Sequence, residues 1–319
     1  MNEMLPPELA RRWGNLRWIK QRGPHEWSSE CVKCHDLGHG GTEWPDRFRM
    51  FSDGKPRCYC RHCGYTDFAD SDRKEFTITP EMRLAWLKER EEREKAELSK
   101  TMTALALLKS EGAWLRYHDS MGSEGRRFWE SKGVSECYVN YYQLGWCYDK
   151  AIWTGGQEYH TPTATIPIFA PGWDLVNLRH RLINPPKKND KYRPDRAGLG
   201  QSLYLTDPDR APGGETIIVE GEIKAIVLRS RIDRADLCIV GVPGKTPNAK
   251  ILGKLGNCDR IHVILDPDAA LEANALVLAL GAKRARIVTL PDKVDDCFTM
   301  RGMTESQFLS ALKCGRVVM

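Results

Sequence analysis

The chain has 319 residues, with 48 Lys and Arg against 43 Asp and Glu, a net charge of +5. Hydrophobic residues make up 41% and charged residues 29%, which supplies real cores and excludes a wholly disordered chain. No apolar run of about 18 residues is present, which excludes a membrane-spanning helix. The opening MNEMLPPELARRWG carries acids and no apolar run, unlike a secretory leader. The expectation is a cytoplasmic protein of two or three domains with no membrane partner. Its 11 cysteines should then be thiols or metal ligands rather than disulfides. A charge of +5 is too small to identify a nucleic-acid partner by itself.

Five of the 11 cysteines fall between Cys31 and Cys63. They include Cys31-Val-Lys-Cys34 and Cys60-Arg-His-Cys63-Gly64, separated by 25 residues. Two C-x-x-C pairs at this distance have zinc-ribbon spacing, each pair biting one ion from a tight turn. Sulfur ligands in a four-coordinate set favour zinc, so Cys31, Cys34, Cys60 and Cys63 are expected to hold a structural Zn²⁺. Cys58, His35 and His62 are expected beside the site, since the tetrahedral set is already full. Phe48–Phe51 and Arg57–Tyr59 read as short strands around a turn at 52–54.

Thr79-Pro80-Glu81 reads as a helix start. LKEREEREKAELSK then alternates in sign, as a solvated linker helix does. Residues 102–117 are more apolar and can pack.

Residues 163–183, TATIPIFAPGWDLVNLRHRLI, read as two strands around a Pro-Gly turn. A strict period of two in the second strand places Asn177, Arg179 and Arg181 on one face. Val176, Leu178, His180 and Leu182 take the other, with His180 a satisfied core histidine. Residues 174–196 hold seven Lys or Arg and three Asp, a local charge of +4, with Trp173 and Tyr192 beside them. Such a stretch suits a phosphate backbone or a nucleoside triphosphate, and equally an ordinary solvated loop.

The last third alternates strands and helices. Thr216–Val219, Leu237–Val240, His262–Leu265 and Arg286–Leu290 are apolar runs separated by helical stretches, the pattern of an open parallel sheet. Sites in such sheets form beyond the carboxyl ends of the strands. Glu220, Asp266 and Asp268 fall at such ends and suit a hard cation such as Mg²⁺, with Mn²⁺ as a substitute. Gly241–Thr246 imitates a phosphate loop, but the position six residues before Lys245 is Ile239 rather than Gly, so a P-loop is rejected.

VEGEIKA, with Glu220, and LDPDAA, with Asp266 and Asp268, resemble the Toprim domain. That domain is shared by DnaG-type primases, topoisomerases, and several nucleases and repair proteins. RFRMFSDGKPRCYCRHCGYTDF resembles the zinc-ribbon end of bacterial and phage DnaG-type primases. FWESKGVSECYVNYYQLGW, at 128–146, is similar to the segment before their catalytic core. IPIF, LVNLRHRLI, Lys191-Tyr192 and Ser202–Tyr204 follow the order of their basic subdomain. The resemblance covers about 30–70 and 125–312. In many of these primases an Asp stands four residues after the motif Glu. Here that position is Lys224, which either contacts a phosphate or alters the metal arrangement. Glu222 stands nearby as a partial substitute. The later acidic motif matches at Asp295 or Asp296, with Asp296 named as the additional magnesium candidate. The four-Cys set resembles phage and plasmid forms.

The resemblance implies a fold of mixed α/β class. Its expected parts are a zinc ribbon over 1–70, a charged helical linker over 71–124, a basic subdomain over 125–212 and a Toprim domain over 213–319. It implies a DNA primase of phage, plasmid or other mobile-element type. Such an enzyme makes short RNA primers from ribonucleoside triphosphates on single-stranded DNA, with a replicative helicase supplied by a separate chain. Glu220, Asp266 and Asp268 would be catalytic. Arg179, Arg181, Lys191, Tyr192 and Lys224 would hold template or nucleotide. Two alternatives remain: a non-catalytic single-stranded-DNA-binding replication factor, and a Toprim nuclease.

Overall fold

The computed structural model describes residues 5–34, 48–69, 80–187 and 191–316. The chain divides into two compact units, Met1–Leu87 and Lys88–Met319.

The first unit contains α1 (Pro7–Trp13), β1 (Lys20–Gly23), β2 (Glu26–Ser29), α2 (Val32–Cys34), β3 (Phe48–Phe51), β4 (Arg57–Cys60) and β5 (Thr66–Phe68). The strands form one antiparallel sheet in chain order. Alternation along each strand sorts the residues. Phe48 and Met50 of β3 and Cys58 and Cys60 of β4 point inward, against Leu9, Trp13 and Trp27. So small a core buries too little apolar surface to stand alone, and its cysteines supply what is missing.

The helix α3 (Pro80–Glu111) crosses the division between the units. Its exposed turns carry the i,i+4 pairs Glu89–Arg93 and Arg90–Glu94, as the alternating charges predict. Residues 70–79, including Thr79 of the expected helix start, lie outside the described residues. The last turns are not linker in character. Ala104 and Leu108 are buried with Phe169, Leu178 and Leu199, and the Thr101 hydroxyl donates to the Gly198 carbonyl at 2.8 Å.

The second unit continues with α4 (Ala113–Asp119), α5 (Ser123–Ser131), α6 (Glu136–Tyr141), β6 (Gly145–Thr154), β7 (Gln157–Ala170), β8 (Asp174–Leu182) and β9 (Tyr192–Pro194). These strands form an antiparallel sheet in chain order. Next come β10 (Tyr204–Leu205), β11 (Gly214–Glu220), α7 (Glu222–Arg229), β12 (Cys238–Val242), α8 (Ala249–Gly253), β13 (Cys258–Ile264), α9 (Ala270–Leu280), β14 (Ala285–Ile287), α10 (Val294–Thr299) and α11 (Glu305–Lys313). They build a sheet of order β10-β12-β11-β13-β14. All its pairings are parallel except β10 with β12.

Both faces of β11 are buried, as a parallel strand requires. Ile217 and Val219 join a core that runs through Ile223 and Ile226 of α7 to Trp129, Trp146 and Ile166. This core joins the two sheets. Ile218 faces the other way, toward Val240, Val263 and Val277. The fold is thus mixed α/β with a small N-terminal β region bearing four clustered cysteines.

One expectation needs correction. The register of β7 against β8 slips between Ile168 and Phe169, so a bulge inserts a residue and breaks the period of two. Leu175 joins Leu178 in one core, while Val176 packs into the core that contains Ile217. Leu178, His180 and Leu182 remain fully buried, but Val176 does not share their face.

Candidate active site and metal centre

The cysteine site is assembled by two turns, one around α2 and one after β4. The four sulfurs of Cys31, Cys34, Cys60 and Cys63 lie within 4.8 Å of one another. Cys31 is 3.7 Å from Cys63, and Cys34 is 3.5 Å from Cys60. Gly64 follows the second pair at φ 72°, a conformation that glycine adopts without strain. Hydrogen bonds from Cys31 and Cys63 pull Cys60 below the ordinary thiol value, while those from Cys60 and Cys63 push Cys31 above it. Burial pushes Cys34 up to about 12. Four soft donors gathered this closely fit a tetrahedral Zn²⁺. Cys58 is buried in the ribbon core and kept as a thiol, pushed up to about 12 by burial. The His62 ring stands beside the cluster, its Nδ1 3.4 Å from the Cys34 sulfur. His35 lies outside the described residues.

The acids sit at the carboxyl ends of adjacent parallel strands. Glu220 ends β11, and Asp266 and Asp268 follow β13 in the turn that leads into α9. Close approach there depends on Gly241 of β12, because a Cβ at that position would lie 2.6 Å from the Gly221 carbonyl oxygen. Two lysines enter the group. The Lys224 ammonium donates to Asp266 at 2.5 Å, both side chains being largely buried. Lys245, on the loop that imitates a phosphate loop, donates to Asp268 at 3.0 Å in an exposed pair.

Burial pushes the Glu220 carboxyl above its ordinary value, against the pull of Lys224 and Lys245. Burial also raises Asp295, which senses Lys224 and Asp266. Glu220 Oε2 and Asp295 Oδ1 are buried with no hydrogen-bond partner. Orphaned carboxylate oxygens beside two further acids fit a hard divalent cation. Among the described residues, only the four cysteines have metal-binding atoms in groups of three or more within 4.8 Å. Glu220, Asp266 and Asp268 share a sheet end without meeting at one point.

The basic strand is less open than its sequence suggests. Arg179 is ion-paired with Glu222, which is only 2% exposed. Its guanidinium also lies over the Tyr192 ring, 4.7 Å from the centroid. Arg181 stacks on the same ring at 5.4 Å and donates to the Tyr192 hydroxyl at 3.2 Å. The two arginines thus clasp Tyr192 of β9, and one of them neutralises the first turn of α7. Lys191 is exposed beside them. On the buried face, His180 Nε2 donates to Asp195 at 2.8 Å, and Nδ1 accepts from the Thr163 hydroxyl at 2.7 Å. Lys150 donates to the same Asp195 carboxylate at 3.2 Å. His180 is a satisfied core residue, as its place in the pattern predicts.

The outward face of the ribbon sheet escapes the sequence reading. Arg49 pairs across the sheet with Tyr59, and Arg57 pairs with Phe51 on one side and Phe68 on the other. Arg57 lies 5.1 Å from the Phe51 ring centroid, and Tyr59 and Phe68 are 44% and 45% exposed. Arg57 thus lies between two aromatic rings on one surface, while Arg49 is largely buried in an ion pair with Glu26. The signal was present in FRMF and RCYC once the inward positions are removed.

No protein-family signature matches the chain, and no curated protein matches it in sequence. Solved structures do match. The zinc-binding and RNA polymerase domains of the Aquifex aeolicus primase align with 94% of this chain and 81% of their own, at TM-score 0.52 and 15% identity. A DnaG primase catalytic domain bound to single-stranded DNA aligns with 70% of this chain and 83% of its own, at TM-score 0.52 and 14% identity. A DNA primase domain from Pseudomonas aeruginosa covers 66% of this chain and 78% of its own, at TM-score 0.53 and 15% identity. At these identities the likeness is one of fold. The chain has the zinc-binding and catalytic-core fold of DnaG primases.

Proposed function

We propose that the chain is a DNA primase of phage, plasmid or other mobile-element type, making short RNA primers on single-stranded DNA. One observation carries the reading. Glu220, Asp266 and Asp268 stand at neighbouring carboxyl ends of a parallel sheet, in a chain that matches a primase's zinc-binding and polymerase domains over 94% of its length.

In this reading residues 213–319 form a Toprim domain. A magnesium ion held by Glu220, Asp266 and Asp268 would polarise the primer 3′-hydroxyl and neutralise the departing pyrophosphate. The chain's own residues position the reactants. Lys191 and the Arg181 side of the Tyr192 clasp offer cations to template or triphosphate oxygens. Arg179 acts mainly through Glu222, fixing β8 to the start of α7. The ribbon face of Phe51, Arg57, Tyr59 and Phe68 suits single-stranded template, because aromatic rings accept any base and a guanidinium pairs with phosphate. The neighbour bound to single-stranded DNA supports the same partner for this chain. A helicase on a separate chain would deliver the template.

A second reading has one observation in its favour. Lys224 occupies an oxygen of Asp266, and a fully inhibitory pair would leave a non-catalytic DNA-binding replication factor. Random-sequence single-stranded DNA, labelled ribonucleotides and Mg²⁺ decide between them. The primase reading expects short RNA products, and their loss in Asp268→Asn with DNA binding retained. DNA binding without products under Mg²⁺ or Mn²⁺ would establish the second reading.

A further inference from the structure

The acidic group contains cations supplied by the chain itself, and the two are not equivalent. Lys224 touches Asp266 in a largely buried pair, and its charge is also felt by Glu220 and Asp295. Lys245 pairs with the exposed Asp268, whose side chain is 76% exposed, and its charge too reaches Glu220. Exposed pairs are screened by water and salt and exchange readily, whereas a buried ammonium is fixed by what surrounds it. Oxygens available to an incoming ion include Glu220 Oε2 and Asp295 Oδ1, the Asp266 oxygen that Lys224 does not touch, and those of Asp268 once Lys245 swings away.

We infer that the Lys224 ammonium is a built-in cation of this site, so that the acidic group takes up one divalent cation rather than two, and that Lys245 is the counter-ion this cation displaces. A second divalent ion near Asp266 would meet the fixed positive charge of Lys224, and like charges at that range oppose binding. The inference rests on the metal-dependent reading proposed above, but its test does not depend on catalysis.

The test counts Mn²⁺ bound to the full, zinc-loaded chain, from the loss of the free-ion electron paramagnetic resonance signal. Thiolates retain zinc over the harder Mn²⁺, so the ribbon does not enter the count. The wild type should bind one Mn²⁺, and Glu220→Gln should lose it. Lys224→Met should bind two, and Lys224→Arg should return to one. Lys245→Met should keep the count at one and bind several-fold more tightly. A wild-type count of two or of none overturns the inference. So does a folded Lys224→Met variant that still binds one. If Lys224→Met fails to fold, the wild-type count and Lys224→Arg still decide. Primer synthesis is scored on the same preparations. Absence of primers with a count of one removes the primase reading and leaves this inference. A count of two in a chain that makes primers removes this inference alone.

Discussion

The cysteine site and the carboxylate site solve opposite problems. The first gathers four soft donors within 4.8 Å in a unit with little apolar core, so an ion that fits there would be part of the fold. The second stands on a sheet buried on both faces, which needs no ion to fold. Its acids are spread, and lysines balance two of them. A structural site must be closed, whereas a working site must admit and release charge. The contrast teaches that the number of acids or thiols matters less than what already neutralises them.

The largest effect should break the first half of the comparison. Cys60→Ser, or chelation of the wild type, should abolish folding of residues 1–69, because apparent zinc binding in such modules is worth about 10–16 kcal/mol. Elemental analysis should find about one zinc per chain in the wild type. Limited proteolysis should then cut the ribbon of the variant while the sheet of residues 214–287 stays resistant.

The second concerns the clasp that holds the basic strand to the acidic site. Arg179→Ala leaves Glu222 buried without its cation and should destabilise the second unit by about 3 kcal/mol. Arg181→Ala loses one hydrogen bond and a ring contact on Tyr192, and should cost about 1 kcal/mol. Urea unfolding of the two variants measures the difference. Equal effects would return Arg179 to an ordinary surface role.

The smallest effect is a pH dependence that the carboxylate end does not share. Burial lowers the His180 pKa, against the opposing bond from Asp195. The folded state therefore resists protonation, and stability falls as pH drops below the ordinary histidine value of about 6.5. For Asp195, burial raises the pKa, but the His180 bond and Lys150 outweigh it and leave it at about 2. Its contribution is complete above about pH 4 and is lost as pH falls toward 2. The urea midpoint of the wild type should therefore decline in two steps on acidification. His180→Gln should shrink the upper step, which the buried His262 shares.

Residue order alone determined a good deal here. The two C-x-x-C pairs, the run of parallel strands and the strand-end acids are local signals, set by spacing and period, and each survives in three dimensions. The resemblance of the cysteine segment and the core segments to DnaG-type primases then pointed to the zinc-binding and catalytic-core fold that the solved structures share. What distance in sequence hides, only tertiary structure decided. The bulge in β8 depends on the register of β7, and no period in β8 by itself reveals it. Arg179 reads as an open cation until α7, 43 residues on, places Glu222 against it. Asp295 and Asp296 are indistinguishable as letters, and packing leaves Oδ1 of Asp295 buried with no hydrogen-bond partner. Lys245 sat in a rejected phosphate loop, yet β12 and β13 bring it to Asp268. Local pattern names the groups that can carry charge. Packing decides which charges meet, because Coulomb energy depends on separation in space and on burial, not on separation along the chain.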